Sequence, residues 1–150
     1  MNTKYYLLLF LFLSTRIVQA QDGYEYGPNS EVYETIPKGT VTKHTWESSI
    51  FENTIRDYYI YVPAQYDASK PAALMIFQDG HAYVDNEGDF KVPIVFDNLI
   101  SQGKMPVTIA LFINPGHDKS LSKPESPWRA NNRSLEYDDM SSTYSDFLVN

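Results

Sequence analysis

The sequence predicts an α/β fold in which antiparallel first strands lead into parallel βαβ units. Residues 72–77 (A-A-L-M-I-F) and 107–113 (V-T-I-A-L-F-I) are continuous apolar runs, the pattern of strands covered on both faces. Between them, Val92, Val95, Phe96 and Leu99 fall at helical spacing. Upstream, residues 54–62 (T-I-R-D-Y-Y-I-Y-V) form a β-branched and aromatic run closed by Pro63. Strand, helix and strand make a βαβ unit with a right-handed crossover, so the two apolar runs are expected to be adjacent and parallel.

The elements follow in order. Lys4, an apolar run over residues 5–13 and the small-residue site Val18-Gln19-Ala20 form a secretory signal peptide over residues 1–20. The run is too short to span a bilayer. A mature protein beginning at Gln21 is expected, secreted or periplasmic, with no stable membrane anchor after signal cleavage. Residues 21–38 read as an extended lead-in with turns at Asp22-Gly23 and Gly27-Pro28-Asn29. Residues 39–48 alternate loosely around Val41 and Trp46, and Glu52-Asn53 supplies a turn to the next run, so these two strands are expected to pair antiparallel. The helix begins at residue 92, with Pro93 tolerated in its first turn. Residues 114–133 read as a long polar loop containing Pro115, Pro124 and Pro127. Asp138 or Asp139 is expected to cap a helix running through Tyr144, Phe147 and Leu148. Residues 39–150 are read as one domain portion.

Composition narrows the function. The 150 residues carry a formal charge of −7, and removing Lys4 and Arg16 leaves ten basic against nineteen acidic side chains, a net of −9. Nucleic acid is a poor partner for such a chain, because phosphate binding needs clustered Lys and Arg. Cysteine is absent, so stability comes from the core and not from disulfides. Twelve Tyr and eight Phe suit strands and core, and also the walls of aryl or sugar pockets. No cofactor is implied. The spacing of Asp79, His81 and Asp85 matches no standard metal pattern, so no metal site is expected.

The stretch Phe77-Gln78-Asp79-Gly80-His81-Ala82-Tyr83 follows the first apolar strand. Open α/β sheets bind ligands beyond the carboxyl ends of their strands. A glycine there lets the backbone turn sharply and present amide N–H groups, which acyl transfer needs for a developing oxyanion. His81 lies in this turn. His117, beside Asp118 in the long loop, either approaches a substrate or is solvated. His44, in an early strand, reads as structural. Asn132-Arg133-Ser134 is formally a glycosylation sequon.

Taken together, Tyr58-Tyr59-Ile60-Tyr61-Val62-Pro63-Ala64-Gln65-Tyr66-Asp67, Gln78-Asp79-Gly80, Met105-Pro106-Val107, Ile113-Asn114-Pro115-Gly116 and Asn132-Arg133-Ser134-Leu135-Glu136-Tyr137-Asp138 carry a family resemblance. Residues 40–150 resemble the N-terminal portion of the esterase family of the α/β-hydrolase superfamily typified by enterochelin esterase, whose relatives include feruloyl and acetyl-xylan esterases. The resemblance implies an α/β-hydrolase sheet and a Ser–His–Asp/Glu triad with its serine in a G-x-S-x-G elbow. No G-x-S-x-G occurs in these 150 residues, so none of the triad is expected here. By resemblance, the backbone at Gly80 and His81 is the oxyanion candidate. Arg133 and Glu136 match the family's Arg…Glu-Tyr-Asp segment as pocket-edge or structural residues, and Asp79, Tyr83 and His117 are further pocket candidates. The implied activity is that of an exported carboxylic-ester hydrolase on a small-molecule or polysaccharide-linked ester, truncated here before its nucleophile and inactive alone. The alternative is a non-catalytic carbohydrate-binding module or a remnant of the esterase.

Overall fold

The computed structural model describes residues 25–149. The signal peptide, the expected start at Gln21 and the first residues of the lead-in lie outside them. Five strands are described: β1 (Thr40–Glu47), β2 (Thr54–Val62), β3 (Ala73–Gln78), β4 (Thr108–Ile113) and the two-residue β5 (His117–Asp118). The helices are α1 (Gly80–Val84), α2 (Val92–Ser101), α3 (Arg133–Tyr137) and α4 (Thr143–Val149), with 3-10 turns at Pro28–Ser30 and Pro127–Arg129.

The sheet runs β1-β2-β4-β3, with β5 paired to β2. β1 and β2 pair antiparallel from Thr40↔Val62 to Glu47↔Ile55. β3 and β4 pair parallel from Ala73↔Thr108 to Gln78↔Ile113, joined through α2. The sheet is therefore mixed and the class α/β, with antiparallel strands leading into a parallel βαβ unit. The sequence pattern placed both pairings correctly.

Alternation along β4 divides the core. Ala110 and Phe112 are packed with Tyr61, Val92, Phe96 and Ile100 in one cluster, which α2 covers. Ile113 is packed with Phe51 and Phe147 in a second cluster, joined by Leu111, Trp46 and Tyr58, which α4 covers. Trp46 stacks on Phe147 at 4.2 Å between ring centroids. On the α2 side, the Tyr61 hydroxyl donates to Asp97 Oδ1 at 2.6 Å, and the Gly39 N–H donates to the same oxygen at 2.8 Å. Burial, followed by the Asp97 hydrogen bond and charge, raises the Tyr61 pKa far above its ordinary value. A carboxylate on α2 thus fixes the start of β1 and the end of β2.

A second polar tie crosses the other side. Arg56 on β2 donates twice to Glu136 on α3, Nη1 to Oε2 at 2.6 Å and Nη2 to Oε1 at 2.8 Å, with both side chains fully buried. The guanidinium also lies over the Phe147 ring at 4.1 Å. The Gly116 N–H donates to Glu136 Oε2 at 3.2 Å, and a Cβ on Gly116 would stand 2.4 Å from Glu136 Oε1. β2, the segment after β4 and α3 therefore converge on one carboxylate.

Three expectations are corrected. β3 is not covered on both faces: it is the edge of the described sheet, and Leu74, Met75 and Ile76 are 64%, 41% and 40% exposed. Continuous apolarity marks a strand without reporting what covers it. Residues 114–133 are not one open loop, because β5 adds a pair to β2 and Pro127–Arg129 forms a 3-10 turn. The last helix begins at Thr143, not at Asp138 or Asp139; Asp138 closes α3, its N–H donating to Ser134 O, and the Thr143 N–H donates to Ser141 Oγ.

Gly80 offers a direct check of this architecture. A Cβ there would lie 2.4 Å from the Phe112 carbonyl carbon and 2.5 Å from the Ile113 nitrogen, both β4 backbone atoms that cannot swing aside. Gly80→Ala is expected to lower unfolding free energy by about 1–3 kcal/mol, the usual range for overpacking. Gly27→Ala, where nothing lies within 4 Å, serves as the open-space comparison and is expected to change stability little. Urea unfolding of the two variants reads this, and equal midpoints would refute the close approach.

Candidate active site

The site begins where β3 ends. Asp79 follows Gln78 with φ 53° and ψ 42°, a left-handed conformation that non-glycine residues rarely adopt. The sharp turn therefore falls on Asp79, and Gly80 serves a different need, the close approach to β4 described above. This corrects the expectation that the glycine itself makes the turn. Three hydrogen bonds hold Asp79. Arg133 Nε donates to Oδ1 at 2.9 Å and Nη2 to Oδ2 at 2.8 Å, a two-pronged pair. The Asp79 N–H donates to the Tyr137 hydroxyl at 3.4 Å. Both clamping side chains come from α3, which the Arg56–Glu136 pair fixes to β2. The Arg133 pKa is raised, first by its hydrogen bond to Asp79.

His81 stands one residue into α1. Its backbone N–H donates to Asn114 Oδ1 at 2.7 Å. Its ring meets the Trp128 edge at 4.4 Å between centroids, and both ring nitrogens are buried without a partner among the described residues. Burial is the main cause that holds the imidazole pKa below its ordinary 6.5, and the Arg133 charge adds to it; Asn114 and Asp79 act the other way. Neutral His81 therefore sits beside an amide that is already engaged. Of the two oxyanion candidates, the His81 N–H is occupied by Asn114 in this arrangement. Gly80 is buried at the start of the same helical turn.

The other sequence-derived candidates separate. Tyr83 leaves the turn and stacks on Phe90 at 4.4 Å, against the α2-side core. Glu136 is 1% exposed and bonded to Arg56 and Gly116, so its place is structural and not at a pocket edge. His117 is not a free loop residue. It pairs with Ile55 through β5 and lines a cavity of about 200 Å³ with Asn114, Lys43, Asp57 and Lys123. Burial, then the Lys123 charge, lowers its pKa, against the pull of Asp57 and Asp118. His44 stacks on Tyr58 at 5.1 Å, in keeping with a structural reading. In the sequon, Asn132 Nδ2 already donates to Thr54 Oγ1 at 2.6 Å.

Four contributors were not singled out from sequence. Arg56 reads there as one charge in a strand, and its partner lies eighty positions away. Trp128 sits among loop residues. Asp57 accepts from Lys43 Nζ at 2.9 Å and Lys123 Nζ at 2.6 Å; burial raises its pKa, but the two ammonium groups outweigh it and the net direction is down. Asn114 is 3% exposed and is shared between the Asp79–His81 turn and the cavity. Its signal was available: a polar residue that closes a buried apolar run beside a proline. Among the described residues, no three His, Asp or Glu side chains gather to hold a metal ion, and no helix is long and apolar enough to cross a membrane. Asp79 is engaged by Arg133, and Asp85 Oδ1 accepts the Glu87 N–H.

No family model matches the chain, and no curated protein sequence matches it. Its fold is similar to solved feruloyl esterase structures. A ferulic acid esterase from Anaeromyces mucronatus, in complex with ferulic acid, is 22% identical over 57% of this chain and 32% of its own, with a TM-score of 0.48. The same enzyme without substrate is 21% identical over 79% of this chain and 40% of its own, again at 0.48. A mutant feruloyl esterase module from Clostridium thermocellum, complexed with sinapinate, is 21% identical over 61% and 30%, at 0.41. This chain spans between about a third and two fifths of the length of these structures.

The lowered pKa of the half-buried His81 gives a signed pH dependence. An unfolded chain binds a proton near the ordinary 6.5, whereas the folded chain binds it only at lower pH. Between those values the unfolded state holds more protons, so stability falls as pH is lowered through about 6.5 and levels off below the folded pKa. His117 contributes with the same sign, and Asp57 loses its contribution only at more acid pH. His81→Phe, which keeps a ring against Trp128, is expected to flatten the stability slope between about pH 7 and pH 5. Urea midpoints across that range read this, and an unchanged slope would contradict the burial of a neutral imidazole.

Proposed function

We propose that this chain carries the oxyanion side and part of the substrate pocket of an exported serine carboxylic-ester hydrolase of the α/β-hydrolase class, enterochelin-esterase-like. The observation that carries the reading is the Asp79–His81 turn, which closes a parallel strand at the carboxyl end of β3 and is held in a left-handed conformation by two residues of α3. In open α/β sheets this is the place where ligands bind. A two-pronged ion pair preorganises the turn, and preorganisation is what electrostatic stabilisation of an oxyanion requires. In this reading the Gly80 amide is the donor, and Asn114 positions the turn by holding the His81 N–H. The substrate is a small-molecule or polysaccharide-linked ester, met in a secreted or periplasmic location after removal of residues 1–20.

The chemistry also needs a serine activated by a base. The 150 residues contain no serine in a G-x-S-x-G elbow, so the chain alone is expected to hydrolyse esters no faster than background. The test uses the exported protein from its own source, assayed on 4-nitrophenyl acetate and feruloylated oligosaccharides and labelled with a fluorophosphonate. The expected result is turnover abolished by labelling of a serine that is not among residues 1–150. Gly80→Ala keeps the amide N–H but shifts it, because the added Cβ meets the β4 backbone, and is expected to lower kcat by up to about 10²-fold, the scale of one misplaced oxyanion donor. Turnover by the 150-residue chain that is lost on one Ser→Ala change within it would overturn the assignment. Absence of turnover with retained oligosaccharide binding would favour a carbohydrate-binding module instead.

A further inference from the structure

The cavity beside the turn presents an excess of hydrogen-bond donors, and the key to it is the orientation of Asn114. The Asn114 side-chain oxygen faces the His81 N–H at 2.7 Å, which settles which way round the amide lies. Its NH₂ group must then point away from the turn. That nitrogen donates to nothing among the described residues, although the residue is 3% exposed and lines the cavity. The nitrogen is not one of the fully buried side-chain atoms without a partner, so it is reachable from the cavity.

The opposite wall is also made of donors. Lys43 and Lys123 both reach Asp57, at 2.9 Å and 2.6 Å, and each ammonium has three donors, of which this contact uses one. Asp57 is 14% exposed at its side chain, so it fixes two otherwise flexible ammonium groups at the cavity wall. Glu125 also lines the cavity, so two cations face two carboxylates and the wall is balanced in charge; what it offers in excess is N–H donors. The volume of about 200 Å³ suits a small organic molecule and is larger than one ion needs.

We propose that this cavity binds an organic carboxylate, with Asn114 Nδ2 and the ammonium groups of Lys43 and Lys123 as the donors to its oxygens. The proposal does not rest on the esterase reading, since binding requires no turnover. A carboxylate accepts up to about four hydrogen bonds, which matches a site that offers donors from an amide and two cations. The acid can belong to a sugar or to an aryl group, and the same donors serve both.

The probes are D-glucuronate and benzoate, each set against a neutral counterpart of similar size, D-glucose and benzyl alcohol. Binding is followed by NMR through the Asn114 side-chain NH₂ signals. At least one acid is expected to shift these signals saturably, with its neutral counterpart silent, and added salt is expected to weaken binding. Glucuronate alone would identify a sugar acid, benzoate alone an aryl acid, and both together a general carboxylate site. Asn114→Asp, followed instead through the backbone amides of the cavity wall, keeps an acceptor for the His81 N–H but replaces the donors with a negative oxygen, and is expected to weaken binding about tenfold or more. Lys43→Gln with Lys123→Gln, both at the surface, is expected to do the same and does not depend on a buried change folding. Equal binding of acid and neutral counterpart, no saturable shift at tens of millimolar ligand, or full binding by the lysine double variant would each overturn the proposal.

Discussion

The buried Arg56–Glu136 pair is the constraint from which the arrangement of the site follows. Two charges removed from water cost several kcal/mol each to desolvate, and only close two-pronged geometry with further hydrogen bonds offsets that cost. Here the geometry is close, the Gly116 N–H adds a donor, and Phe147 covers the guanidinium face. Arg56 Nε nevertheless remains without a partner among the described residues. The pair is therefore a weak source of net stability, and its consequence is positional. It attaches a five-residue helix, too short to hold itself, to the middle of the sheet.

Position is passed on from there. Glu136 lies in the same helix as Arg133 and next to Tyr137, the two residues that hold Asp79. Asp79 in turn sets the direction in which α1 leaves β3, and Gly80 lets that helix rest on the β4 backbone. Asn114, at the end of β4, closes the circuit through the His81 N–H. The donor-lined cavity and the turn then share one wall, because the same Asn114 side chain offers its oxygen to one and its nitrogen to the other.

Periodicity made the sheet legible and left the ties between its elements hidden. Apolar runs and helical spacing located β2, β3, α2 and β4, because burial of one face dictates those patterns. They did not show that β3 is an edge, since neighbours are a property of the fold and not of the run. The Asp79–His81 stretch was legible as a turn at a strand end, but its left-handed residue was not, because Asp79 is stabilised by Arg133, fifty-four positions on. Arg56 and Asp97 were illegible for the same reason: a charge within a strand or helix reads as solvent-facing until its distant partner is placed. Arg133 and Glu136 were legible only as part of a family segment, and the structure divides them into a clamp and an anchor.

If the buried pair holds the turn through α3, amide hydrogen exchange in Glu136→Gln reveals it. This change keeps side-chain volume and leaves the Arg56 charge without its counterion. Faster exchange is expected at the Asp79 and His81 amides, which lose the support of α3, while amides of the β1–β2 ladder keep their protection. Unchanged protection at Asp79 and His81 in a variant whose Arg56–Glu136 pair is broken, or an equal loss across the whole sheet, would contradict it.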